Sequence, residues 1–161
     1  MTESQAANVA APRAQTLALQ SLVNRVMRGV LRAPLLSRAA GKRLIILHVV
    51  GRKSGRRYVV PVAYAHDGDA LLVGTPFGWV RNLRTGEQIT VLHKGKRRVA
   101  DVHVFTNEAD VVEKYALMAR DNHQFAKFNK IGLDATGNPD ETDLRLAWAA
   151  GARAVRLTLR T

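Results

Sequence analysis

Residues 51–57 read GRKSGRR, placing four cations, Arg52, Lys53, Arg56 and Arg57, around the small residues Gly51, Ser54 and Gly55. Apolar runs flank this stretch on both sides, so it reads as a turn between two strands. Successive backbone N–H groups in a glycine-containing turn can form an anion-binding nest. Arg and Lys side chains add charge-assisted hydrogen bonds to phosphate oxygens. The chemistry offered is therefore capture of a phosphate-bearing ligand. The same residues equally describe a well-solvated hairpin tip, because turns are commonly polar.

Other reactive constellations are sparse. The histidines, His48, His66, His93, His103 and His123, show no HxH, HExxH or HxxxH spacing, and no carboxylate cluster accompanies them. Nothing in this pattern supports a metal site. His48 and His103 sit inside strand-like runs and read as structural. There is no cysteine, which removes disulfides, thiolate ligands and cysteine nucleophiles, and fits a reducing cytoplasm. No GxSxG elbow, Walker loop or GxGxxG occurs. An enzyme built on this chain would draw its reactivity from a bound cofactor, and no side chain is singled out as catalytic.

The charge balance points the same way. Lys and Arg number 25 against 13 acidic residues, a formal +12, and Glu3 is the only acid before Asp67. Such a field attracts anionic partners without naming them. A cofactor, an anionic lipid surface and nucleic acid all fit. A second basic run, KGKRR at residues 94–98, strengthens the nucleic-acid reading through counterion release. Aromatics make up only 6% of the chain and none interleaves the basic runs, against the habit of single-strand binders.

These residues need a scaffold, and the chain supplies one. With 161 residues and 47% apolar content, a single domain with a substantial core is expected. Residues 1–12 read as a loose tail before a domain spanning 13–161. Apolar positions Leu19, Leu22, Val23, Val26, Met27 and Val30 predict a helix over 13–31. Arg25, Arg28 and Arg32 give it a basic face that could touch a membrane surface. LIILHVV and YVVPVAYA read as hairpin strands, with Pro61 marking a bulge or an edge. ALLVG, QITVLH, KGKRRVADVHVF and RAVRLTLR supply further strands. WVRNLRTG reads as one or two helical turns. Asn107 reads as the cap of a helix over EADVVEKYALMARD, and GLDATGNPDETD as a loop. The sum is an α+β protein: about six antiparallel strands closing into a split barrel, with flanking helices.

The order GRKSG, then Pro61 in a strand, then DGD, a strand, and GWVRNL resembles the deazaflavin-dependent nitroreductase family. The likeness runs from about Leu44 to Val91. It implies a split β-barrel oxidoreductase, of a kind frequent in actinobacteria, that binds the anionic deazaflavin coenzyme F-420. FMN is a close variant, since the fold class binds both. By this resemblance Arg52, Lys53, Ser54, Gly55, Arg56 and Arg57 would hold the phosphate and acidic tail. Pro61 and Val62 would lie along the ring. Thr75, Phe77, Gly78 and Trp79 would form the covering loop, with Trp79 and Asn82 holding it to the barrel. The substrate would be a small hydrophobic acceptor, quinone-like or nitro. Many split barrels pair as homodimers. A basic nucleic-acid-binding barrel, or a cofactor- or lipid-binding barrel without turnover, stands as the alternative. Trp79 also reads as a core anchor, and Asn82 as a turn cap.

Overall fold

A computed structural model describes residues 43–161. The tail at 1–12 and the amphipathic helix expected over 13–31 lie outside the described residues. Seven strands form one antiparallel sheet: β1 Leu44–Val50, β2 Arg57–Ala63, β3 Ala65–Asp67, β4 Ala70–Thr75, β5 Gln88–His93, β6 Lys96–Phe105 and β7 Arg153–Leu159. Their order across the sheet is β2-β1-β5-β6-β7-β4-β3. A short 3-10 helix spans Gly78–Asn82, and three α-helices follow: α1 Glu108–Asp121, α2 His123–Phe128 and α3 Glu141–Ala149.

The strand order curls the sheet. β2 and β3 are its two ends, yet only Tyr64 separates them in sequence. A flat seven-stranded sheet cannot bring its ends within one residue, so the sheet bends round until they meet. Tyr64 donates its N–H to the Arg43 carbonyl (2.8 Å) at that meeting point. No ladder joins β2 to β3, and the barrel stays split there.

The count of about six strands is corrected by the same residue. YVVPVAYA reads as one continuous strand, but the chain breaks at Tyr64 and the remainder starts the far edge as β3. Pro61 lies on an edge strand paired only with β1, where its missing N–H costs no ladder bond. The DETD end of the expected loop is a second correction. Asp140 caps α3 by accepting from the Asp143 N–H (2.9 Å), so the helix starts at Glu141. NHQFAKF likewise contains α2, capped by Asn122.

Alternation along the strands sorts two faces. Ile45, Leu47, Val49, Val60, Leu71, Val73, Val91, Val155 and Leu157 are buried, and register places them in phase across the sheet. The opposite phase of β3, β4 and β7 meets the helices. There Leu72, Ala154 and Phe105 pack with Val111, Tyr115, Met118 and Ala119, which recur on one face of α1. Asn107 caps α1 as its sequence predicts, accepting from the Asp110 N–H (2.9 Å).

One polar cluster ties β3 into this layer. Asp67 accepts from Arg156 Nε (3.1 Å) and Nη2 (2.9 Å), with Lys114 Nζ 3.8 Å away. Both cations also lie over the Phe105 ring, at 5.3 Å for Lys114 and 5.1 Å for Arg156. A carboxylate and an aromatic face thus share a buried lysine and a half-buried arginine, and four elements are pinned at one point.

Candidate functional site

The basic turn is a built loop. Gly51 donates to the Arg56 carbonyl (2.7 Å) and accepts from the Gly55 N–H (2.8 Å), and the Arg56 N–H reaches Ser54 Oγ (3.2 Å). Gly55 takes φ +65°, which L side chains adopt only with strain. Gly51 is required for space: a Cβ there would sit 2.5 Å from Ser54 Oγ and 3.0 Å from Tyr58 Cε2. The two glycines are thus explained by local geometry, with no ligand needed.

The 3-10 helix grips this turn from across the sheet end. Asn82 Oδ1 accepts from the Arg52 backbone N–H (3.0 Å), and Arg52 Nη2 reaches the Asn82 carbonyl (3.5 Å). Asn82 Nδ2 in turn donates to the Trp79 carbonyl (3.1 Å). Trp79 and Val80 are both 4% exposed and root the helix in the core. At the start of this segment the Phe77 N–H is held by Thr75 Oγ1 (3.0 Å), and Thr75 is buried. Thr75, Phe77, Gly78, Trp79 and Asn82 therefore act as one braced segment against residues 51–56.

What the turn leaves free is electropositive. Arg52, Lys53, Arg56 and Arg57 are exposed, and among the described residues none of them pairs with a carboxylate. With the Arg52 N–H committed to Asn82, the next two amides, on Lys53 and Ser54, have no acceptor among the described residues. Two adjacent free N–H groups inside four uncompensated cations are a donor set suited to a phosphate or carboxylate.

Pro61 and Val62 are brought together with the turn only in part. Val62 pairs with Ile45 in the inward phase, whereas Pro61 pairs with Ile46 in the outward phase. One strand presents them to opposite faces, so a single flat ligand would meet the side chain of one and the backbone of both.

A second polar group was not singled out by sequence reasoning. His93, 8% exposed, places Nε2 3.1 Å from the Tyr64 hydroxyl, and the rings meet edge-on at 5.1 Å. Burial, reinforced by Lys94, Arg98 and His66, holds His93 below the ordinary histidine pKa. Burial raises that of Tyr64. The signal was present: Ile89, Val91 and His93 share the inward phase of β5, which puts the histidine in the barrel. No group of metal-ligating side chains occurs among the described residues.

The sequence pattern of the family described as F420H(2)-dependent quinone reductase matches residues 22–131, more than half of the chain. The chain belongs to that family. It is accordingly an oxidoreductase that depends on the deazaflavin coenzyme F-420. No curated protein matches the chain. Solved structures of similar shape include a proposed 5-nitroimidazole antibiotic resistance protein from Bacteroides thetaiotaomicron (8% identity, TM-score 0.47, 81% of this chain and 80% of that one). A FAD-binding protein from Mesorhizobium loti shows 12% identity and TM-score 0.45, over 80% of this chain and 90% of its own. A protein of unknown function from Agrobacterium tumefaciens shows 17% and 0.47, over 80% and 56%.

Proposed function

We propose that this quinone reductase family member holds reduced coenzyme F-420 at the β1–β2 turn and serves a small, hydrophobic, quinone-like acceptor. The observation that carries the reading is the brace between Asn82 and Arg52, beside which the Lys53 and Ser54 amides have no acceptor among the described residues and stand among four cations. When bound, the reduced deazaflavin supplies a hydride. The chain's own part is capture and orientation. Lys53, Arg56 and Arg57 attract the anionic tail, and the two amides hold an oxyanion group by hydrogen bonds. The Thr75–Asn82 segment, rooted by Trp79, sets where the turn stands relative to the barrel mouth, and orientation of that kind acts on the reacting geometry. The deazaflavin is favoured over FMN because its glutamyl tail adds negative charge beyond a single phosphate, which suits four cations better.

Absorption titration of the purified protein with coenzyme F-420 and, separately, with FMN tests the cofactor. Saturable binding of the deazaflavin at lower concentration than FMN is expected, followed by oxidation of the reduced form when a quinone is added. Preference for FMN, or no binding of either, would sink the reading.

A further inference from the structure

The basic run at 94–98 takes no part in the site at the β1–β2 turn, and strand register explains why. Ile45 pairs with His93, whereas Val50 pairs with Arg57, so the β5–β6 connection lies at the opposite end of β1 from the turn. Five residue steps along β1 separate these two pairs by about 17 Å. The connection is only Lys94 and Gly95, with φ of 51° and 73°. Two successive positive φ values make the tight type I′ hairpin that continues the twist of its strands, so the tip is stiff.

Its charges stand on both faces. Lys96 pairs with His93 and Arg98 with Val91 in the inward phase, while Arg97 pairs with Leu92 in the outward phase. Among the described residues none of Lys94, Lys96, Arg97 and Arg98 pairs with a carboxylate. Asp101, further along β6, is already held by Arg160 (3.0 Å) and Gln88 (3.1 Å). Val99, opposite Thr90 in the outward phase, is 40% exposed beside these cations.

We infer that the β5–β6 hairpin docks the protein onto an anionic lipid bilayer, its four cations among the headgroup phosphates. A headgroup layer satisfies charge on both faces of an inserted tip at once. Nucleic acid fits less well. Residues 92–99 carry no exposed aromatic on which bases could stack. The inference rests on the quinone reading in one respect, since an acceptor dissolved in the bilayer gives the docking its purpose. The unpaired cations stand without it.

The test is co-sedimentation of the full chain with vesicles of phosphatidylcholine plus phosphatidylglycerol, against phosphatidylcholine alone. Each cation near such a surface is worth roughly fivefold in partition. Lys96→Gln with Arg97→Gln should therefore lower partition about 25-fold on the same scale, and Lys94→Asn, which suits the I′ turn, about fivefold. A control pair on exposed helix positions, Arg120→Gln with Lys127→Gln, should change it less than about threefold, as screening limits distant charges. Equal losses in the two pairs would show that net charge alone acts, and would overturn the inference. So would unchanged partition of the tip variants, or duplex DNA binding that is tighter than vesicle binding and lost in them. Reduction of a water-soluble quinone without vesicles should match the unmodified protein in every tip variant. Failure of the unmodified protein to reduce any quinone would overturn the proposed function, and the partition series would still decide the docking.

Discussion

Asn82 Oδ1 accepts the backbone N–H of Arg52 at 3.0 Å, across thirty residues of sequence. That bond fastens the 3-10 helix to the basic turn and takes up the amide beside those of Lys53 and Ser54, which have no acceptor among the described residues. Asn82→Ala should raise the dissociation constant for coenzyme F-420 about five- to tenfold, the scale of one hydrogen bond. The melting temperature should move little, since both groups are partly solvated. Affinity equal to that of the unmodified protein, by absorption titration, would show that the brace does not set the site.

Lys53→Ala and Arg57→Ala remove charge without touching the turn's internal bonds. Each should weaken coenzyme binding by about 1–3 kcal/mol, as for a hydrogen bond to a charged group. Affinity of the unmodified protein should also fall with added salt, because exposed charges are screened. DNA, held only weakly, should compete with the coenzyme for the same cations. Titrations at two salt concentrations check all three; unchanged curves for both variants would take the turn out of the site.

Trp79 is rooted in the core at 4% exposure, and its carbonyl holds Asn82. Trp79→Ala should cost about 3–5 kcal/mol of stability, as large-to-small core changes do. It should also slow single-turnover oxidation of the reduced coenzyme more than it weakens binding, because the covering segment would lose its anchor. Fluorescence quenching of Trp79 by bound coenzyme is best read in a Trp148→Phe background. That background itself loses the bond from Trp148 Nε1 to the Thr106 carbonyl (2.9 Å), worth about 1 kcal/mol. A destabilised Trp79→Ala protein with normal turnover per bound coenzyme would leave Trp79 as a core residue alone.

His93 makes stability depend on pH. Its folded pKa lies below the ordinary value of 6.5, chiefly through burial, so the unfolded chain takes up a proton first as pH falls. Protons therefore favour unfolding: the stability is fully present above pH 6.5 and declines below it, until the folded protein also protonates. His93→Gln can keep a hydrogen bond to Tyr64 and does not titrate. Its melting temperature should fall less between neutral and mildly acid pH than that of the unmodified protein. Parallel melting curves would assign the decline elsewhere.

The hairpin, the late strands and the Asn107 cap were legible because each is encoded locally, by alternation, by glycine placement and by a side chain reaching three residues ahead. The seventh strand was not. Nothing in YVVPVAYA marks Tyr64 as a break, because the break exists only where two distant sheet ends meet. The candidate site divided in the same way. The cations and the segment around Trp79 could be read from residue types and from family likeness. The bond between Arg52 and Asn82 could not, since it joins a loop amide to a side chain from another element. Pro61 and Val62 could be placed on one strand, yet their opposite facing emerges only from register.

The one-residue link at Tyr64 has a bearing on how the chain is born. In the sheet order, β7 stands between β6 and β4. A nascent chain that has not yet emerged past residue 153 can therefore assemble only two separate pieces, β2-β1-β5-β6 and β4-β3, joined by Tyr64 but not by hydrogen bonds. Both pieces then carry an unpaired inner edge, which is where strands of neighbouring chains add. Pairings as distant as Leu71 with Leu157 are slow to form, because loop closure precedes their reward. Of the seven described strands β7 is made last, and both inner edges stay open to wrong partners until it arrives between them.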